Sequence, residues 1–365
     1  MNCKRKPAIA ATALGLALGT IAAHGAPAID DYVTFSGFGT LGVAHSDYSL
    51  ADFTGTVSQP NGVGYSRSWS PTLDSDLGVQ ANLTLTDALS GVVQVLSRDD
   101  ADGNFKPAVE WANLKYQITS DLAVRLGRIV LPTYGVSDFR NVGYALPWVR
   151  VPIEITYTST ATNADGVDVL YRVNTGPVTQ NLQLQWGTTT EDLPGAAYTS
   201  NQAHVVLFED TLQYGDASVH LTYQKCDPLG FATARLVLVD AGFTYDPGAW
   251  FVTADSNHTQ DSYFGDLISG YVSGGIRVGR FTPYALYSAT SAQSTGTSAL
   301  HSLGDEHTVG AGVRWDFAKN FDFKLQAERV TIETLDDPAA FSNLQPGARI
   351  GDKASVLSLA LDFVF

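Results

Sequence analysis

Apolar and polar side chains alternate residue by residue along most of this chain. Leu77, Val79, Ala81, Leu83 and Leu85 face Gly78, Gln80, Asn82 and Thr84, and Val178, Leu182, Leu184 and Trp186 alternate with Thr179, Asn181, Gln183 and Gln185. Val309, Ala311, Val313, Trp315 and Phe317 alternate with Thr308, Gly310, Gly312, Arg314 and Asp316, and Phe321, Phe323, Leu325 and Ala327 with Asp322, Lys324, Gln326 and Glu328. Near the start Val33, Phe35, Leu41 and Val43 keep one parity, interrupted only by Gly37 and Gly39. Period two predicts strands with one apolar and one polar face. No segment after the first residues reaches the roughly 18 apolar residues of a membrane-crossing helix.

The breaks between these runs have their own order. Longer ones fall at 46–74, 99–106, 130–165, 187–201, 225–233, 256–265, 289–306 and 331–353. Short ones fall between them, at 87–88, 119–121, 174–177, 215–216, 246–248, 277–280 and 318–320. A soluble sandwich also has one wet face, but it mixes connection lengths because strands cross between its sheets. Strict alternation of short and long puts every tight turn at one end, which is the plan of an outer-membrane barrel. The expected fold is therefore all-β, a transmembrane antiparallel β-barrel of about 16 strands with short periplasmic turns and long outer loops. An open edge cannot stand in lipid, so the segment 354–365 should close against 32–44, with Phe363 and Phe365 in an interfacial aromatic girdle.

Composition adds a compartment. Lys4, Arg5 and Lys6 precede a short apolar stretch from Ala8 to Ala23, and small residues follow at Ala23, Gly25 and Ala26. This is the form of a signal peptide over residues 1–25, with cleavage as late as 28, ahead of a single barrel domain over 26–365. Removing the three basic residues of the leader leaves 19 Lys and Arg against 37 Asp and Glu, a net charge of −18. So acidic a chain is a poor partner for nucleic acid. Cys3 leaves with the leader, so Cys226 has no partner for an intramolecular disulfide.

The connection 130–165 is too long for a structureless loop in a compact fold, and such loops are usually functional. It carries Tyr134, Phe139, Tyr144 and Trp148 with Pro132, Pro147 and Pro152, and few charges: Asp138, Arg140, Arg150 and Glu154. Aromatic and proline residues at that density need a surface, and the nearest is the inner barrel wall. Taken with the strand order, the segment Leu126-Gly127-Arg128-Ile129 and the terminal Phe365, this aromatic third loop resembles the general diffusion porins of Gram-negative bacteria. The resemblance covers the whole mature chain in architecture. It implies that the third loop folds into the lumen as a constriction, that three barrels form a homotrimer, and that loop 99–106 leans onto a neighbouring subunit. It implies too that Phe363 and Phe365 form the C-terminal assembly signal.

In such porins acids on the inward loop oppose bases on the wall, and the transverse field orients ions and dipolar solutes. Parity selects Arg98, opposite to Val93 and Val95, and Arg125, opposite to Val124 and Leu126; Arg128 follows where the strand is expected to end. From the loop come Asp138 and Glu154 as acids and Arg140 and Arg150 as bases. The loop is poorer in acids than the family pattern and has arginines of its own, which leaves room for anion preference despite the overall charge.

Other chemistry is weakly represented. Asp100, Asp102 and Asn104 have the spacing of a calcium loop, but Phe105 and Trp111 stand where glycine and glutamate belong. His45, His204, His220, His258, His301 and His307 show no zinc-site spacing. There is no nucleophile elbow and no phosphate loop. The expectation is a channel for ions and small hydrophilic solutes in the outer membrane of a Gram-negative bacterium, with no cofactor, no resident metal and no catalytic group. Lipid and lipopolysaccharide surround it. A barrel acting as adhesin or receptor through its outer loops is the alternative, and it predicts outer loops longer than the third.

Overall fold

The computed structural model describes residues 32–157, 159, 161–191, 201–229, 235–261, 265–293 and 304–365. Sixteen long strands run in order: β1 (Val33–Ser46), β2 (Asp76–Thr84), β3 (Leu89–Arg98), β4 (Ala108–Gln117), β5 (Leu122–Val130), β6 (Asn163–Thr175), β7 (Val178–Glu191) and β8 (Asn201–Tyr214). The second half comprises β9 (Ala217–Pro228), β10 (Leu236–Tyr245), β11 (Trp250–Asp261), β12 (Gly265–Ile276), β13 (Phe281–Gln293), β14 (Glu306–Ala318), β15 (Phe321–Ile332) and β16 (Lys353–Val364). Each pairs antiparallel with the next. β1 pairs with β2 from Val33↔Leu83 and with β16 from Phe38↔Val364 to Ser46↔Val356, so the sheet closes and has no edge.

Alternation maps onto the two faces of this wall as expected. Phe35, Leu41, Leu77, Leu126, Leu184 and Trp186 are exposed on the outside, while Gln185, Gln224, Lys324 and Ser358 are buried on the inside. The two-residue turns at 176–177 and 215–216 each use a glycine with positive φ, +59° at Gly176 and +58° at Gly215, a conformation that L side chains resist. All seven short connections join strands at one end. At that end Phe281, Trp315, Phe317, Phe321, Phe363 and Phe365 form a continuous row of rings, with successive centroids 5.5 to 6.4 Å apart. The glycines that interrupt β1 are explained by the same row: a Cβ at Gly37 would lie 2.3 Å from the Phe365 ring, and one at Gly39 2.7 Å from that of Phe363.

Loop 3, residues 131–162, is the longest connection and turns inward; β6 starts at Asn163, two residues before the expected Asp165. Its Tyr134, Leu146 and Trp148 are packed with Ile155 of the short helix α1 (Ile153–Thr156) against Leu238, Phe251, Tyr271 and Leu286 of the wall. The sequence did not foreshadow a cap over it. The pairs Asp52–Phe53, Val63–Gly64 and Phe341–Ser342 form a small three-stranded sheet from loop 1 (47–75) and loop 8 (333–352). Its core of Tyr48, Phe53, Val63 and Phe341 reaches down to Ile153 of loop 3.

Candidate pore constriction

Loop 3 is fixed to the lumen wall at its two ends. On the way in, Thr133 Oγ1 donates to Gln224 Oε1 (2.6 Å) and the Gly135 N–H to Asp255 Oδ2 (3.1 Å). On the way out, Arg314 donates to the carbonyls of Tyr144 (2.6 Å) and Leu146 (3.0 Å), and Lys324 Nζ to that of Gly143 (2.6 Å). Trp148 Nε1 donates to Ser273 Oγ (2.7 Å) and the Val149 N–H to Gln326 Oε1 (3.0 Å). Lys324 is fully buried, yet it is compensated by Asp362 at 2.9 Å and Asp322 at 3.7 Å. Buried charges persist only with such partners.

Arg150 and Glu154 belong to these anchors. Arg150 forms ion pairs with Asp74 of loop 1 (2.7 Å) and with Glu328, and also stacks 5.3 Å from the Phe53 ring centroid. Glu154, 2% exposed, lies in α1 against Thr308 and Ser288, and burial pushes its carboxyl above the usual range. The expected place of Glu154 at the eyelet is corrected, because it is sealed beneath the loop; Arg150 lines the same cavity as Arg98, Arg140 and Asn141, with its guanidinium held between loop 1, loop 3 and the wall.

Arg128 also needs correction. β5 stays regular through Val130, so Arg128 shares the outward parity of Leu126, which is 65% exposed. It pairs on the outer face with Asp165 of β6 at 2.8 Å, with side chains 38% and 59% exposed. The sequence view had the strand end before this residue, and that end is what left its direction open.

Between the anchors the tip of loop 3, residues 138–141, faces β3 to β8. Arg98 Nη1 donates to Asn141 Oδ1 across this gap (3.0 Å). Arg125 forks onto Asp168 of β6, which also accepts from Gln183 Nε2 (2.9 Å). Asp138 is exposed to the lumen, with Arg125 and Asp168 the strongest charges acting on it. Arg140 lies near Glu110 and Arg98; its Nη2 is enclosed without a hydrogen-bond partner among the described residues. Burial pushes its guanidinium down to about 10, so it stays charged at neutral pH.

One cation was missed by the sequence reading. Lys115 is the cross-strand neighbour of Arg125 and points inward between Leu114 and Tyr116, which are exposed outside. That flanking pair is the signal that could have found it. Among the described residues neither Arg98, Lys115 nor Arg140 has a carboxylate within ion-pair distance. In loop 2 (99–107) Asp100 Oδ1 accepts the N–H groups of Asp102 (3.0 Å) and Asn104 (3.1 Å), so it caps a turn.

Comparison with known proteins gives the same outline. A family model described as Gram-negative porin matches residues 10–335. No curated protein matches the sequence. Among solved structures, an anion-selective porin from Comamonas acidovorans is similar at TM-score 0.61 and 12% identity, over 91% of this chain and 99% of that one. Salmonella typhi OmpF in complex with daunomycin is similar at TM-score 0.60 and 14% identity, over 91% and 97%. OmpT of Vibrio cholerae, an outer-membrane protein in its trimer form, is similar at TM-score 0.56 and 14% identity, over 92% and 100%.

Proposed function

The chain belongs to the Gram-negative porin family and forms a diffusion channel across the outer membrane, and from that premise we propose that its passage runs between the tip of loop 3 and β3 to β8 and favours anions. The observation that carries this is the set of unpaired cations there: Arg98 and Lys115 on the wall and Arg140 on the loop, joined by Arg125, which shares its charge with Asp168. Against them stand Asp138 on the loop and, on the wall, Asp76 opposite Arg98 and Glu110 near Arg140, none of them within ion-pair distance of Arg98, Lys115 or Arg140. A cation at a narrow point lowers the energy of an entering anion and raises that of a cation. The Comamonas protein carries anion selectivity in its name, but at 12% identity it supports the fold and no more.

Passive diffusion asks no covalent chemistry of these residues, so the protein acts as a channel and not as an enzyme. Its working form is a homotrimer in lipid and lipopolysaccharide, supported by the trimer form of the Vibrio relative. Loop 2 (99–107), with Phe105 39% exposed, is the side of the barrel that would lean on a neighbour. Residues 1–25, which lie outside the described residues, act as the cleaved export signal, and Phe363 and Phe365 as the assembly signal.

The experiment is a reversal-potential measurement in a planar bilayer across a potassium chloride gradient. The double variant Arg98→Gln with Arg125→Gln should lower the anion-to-cation permeability ratio several-fold, since a unit charge about 7 Å from an ion is worth roughly 0.6 kcal/mol even in water. An unchanged reversal potential would remove the basis for this assignment.

A further inference from the structure

Three inward side chains on consecutive strands meet behind the first anchor of loop 3: His220 on β9, Asp240 on β10 and Asp255 on β11. Register puts them there. His220, Gly242 and Asp255 lie in one cross-strand row, and Asp240 stands two residues along β10 from Gly242. With no side chain at 242 the imidazole leans into the gap; a Cβ there would lie 2.0 Å from His220 Cε1, and one at Gly135 of loop 3 would lie 2.5 Å from the same atom. His220 Nε2 is 2.6 Å from Asp240 Oδ1 and 3.6 Å from Asp255 Oδ1, and one donor atom from each residue lies within 4.8 Å of the others.

The local charge does not balance. Asp240 is 0% and Asp255 4% exposed, and among the described residues their ion pairs are with His220 alone. The further charge acting on Asp240 is another carboxylate, Glu209 of β8. Asp240 and Asp255 lie within hydrogen-bonding reach of each other, and Asp240 Oδ2 and Asp255 Oδ1, both enclosed, meet no donor from any other described residue. Buried anionic oxygens left without donors are costly. Without a metal, the imidazole and a proton shared between the two carboxylates would have to offset this charge, whereas a dication replaces that proton and uses the oxygens left over.

We propose that His220, Asp240 and Asp255 bind a divalent first-row metal ion, with Zn²⁺ the probe ion, at the base of loop 3. One nitrogen and two carboxylate donors suit Zn²⁺ or Mn²⁺. Tetrahedral donors around Zn²⁺ stand roughly 3.4 Å apart, so Asp240 Oδ1 needs to draw back from His220 by under about 1 Å, a side-chain rotation. Three side chains supply three donors, and a water would be the fourth ligand. Because the Gly135 N–H donates to Asp255 Oδ2, the ion shares a ligand with the loop anchor.

The test measures metal, not conduction, so it stands apart from the channel reading. Folded protein in detergent, equilibrated with Zn²⁺ and stripped of loose metal by mild chelation, should hold one Zn²⁺ per chain. Asp255→Asn and His220→Gln should each weaken binding by more than the roughly 10–100-fold that outer-shell changes cause, and His258→Gln, at a half-exposed histidine elsewhere on β11, should leave it unchanged. Co²⁺ added to the wild-type protein should give visible ligand-field absorption that Zn²⁺ abolishes, which decides the matter even if a variant fails to fold. No retained Zn²⁺ and no Co²⁺ spectrum would overturn the proposal, and so would retention equal to wild type in both Asp255→Asn and His220→Gln.

Discussion

On β14 and β15, Arg314 meets Asp322 at 3.1 Å and Lys324 meets Asp362 at 2.9 Å, and both also grip carbonyls of loop 3. On β3 and β4, Arg98 and Lys115 meet no carboxylate within ion-pair distance among the described residues. The residue types are alike, and burial separates them. Lys324 is out of water and must be neutralised, so its charge serves to hold the loop; Arg98 and Lys115 keep contact with the lumen and can stay unpaired. The lesson is that a lumen charge selects ions only where it is not already engaged in holding the constriction.

The largest expected effect would break the anchored side. Lys324→Ala leaves the buried Asp362 without its cation and Asp322 with Arg314 alone, which should cost about 3–5 kcal/mol. The urea midpoint in detergent would report it, and noisier single-channel current should accompany it as the Gly143 carbonyl loses its donor. Equal stability and equal noise would show that the loop is held by packing alone.

A smaller effect sharpens the same side. The Glu154 carboxyl is raised by burial, so between the ordinary glutamate value of about 4.3 and its raised value the folded state binds more protons than the unfolded one. Stability contributed at this residue is therefore present at low pH and lost as pH rises through that window. Glu154→Gln should flatten the pH dependence of the urea midpoint by about 1 kcal/mol; a slope identical to wild type would count against the burial of a charge there.

The smallest effect checks the outer face. Arg128→Ala removes a half-exposed pair with Asp165, worth about 0–1 kcal/mol, and should leave the reversal potential untouched. A change in ion preference would mean that Arg128 reaches the passage after all.

The barrel was legible because its signal is local. Parity at Leu77 to Leu85 needs no partner to be read, and alternation of turn and loop lengths gives direction. The inward direction of Arg98 and Arg125 was legible for the same reason, and Arg128 was misplaced because it was taken to follow the end of the strand, whereas the strand runs regularly past it to Val130. Lys115 could have been found from Leu114 and Tyr116. The roles of Arg150 and Glu154 could not, because they depend on Asp74, Glu328 and Thr308, far away in sequence. His220, Asp240 and Asp255 share inward parity in the sequence, but only the register across three strands, and the missing side chain of Gly242, makes them neighbours.

The double hold on Arg150 has a consequence for behaviour under voltage. Its guanidinium is tied to Asp74 of loop 1 and Glu328 of the wall, so any force that an applied potential exerts on the root of loop 3 is carried into the barrel rather than spent on moving the loop. At the tip, Asp138 and Arg140 carry opposite signs two residues apart, and the forces on them largely cancel. A partition so arranged should keep its aperture while the potential across it swings, without a swinging door.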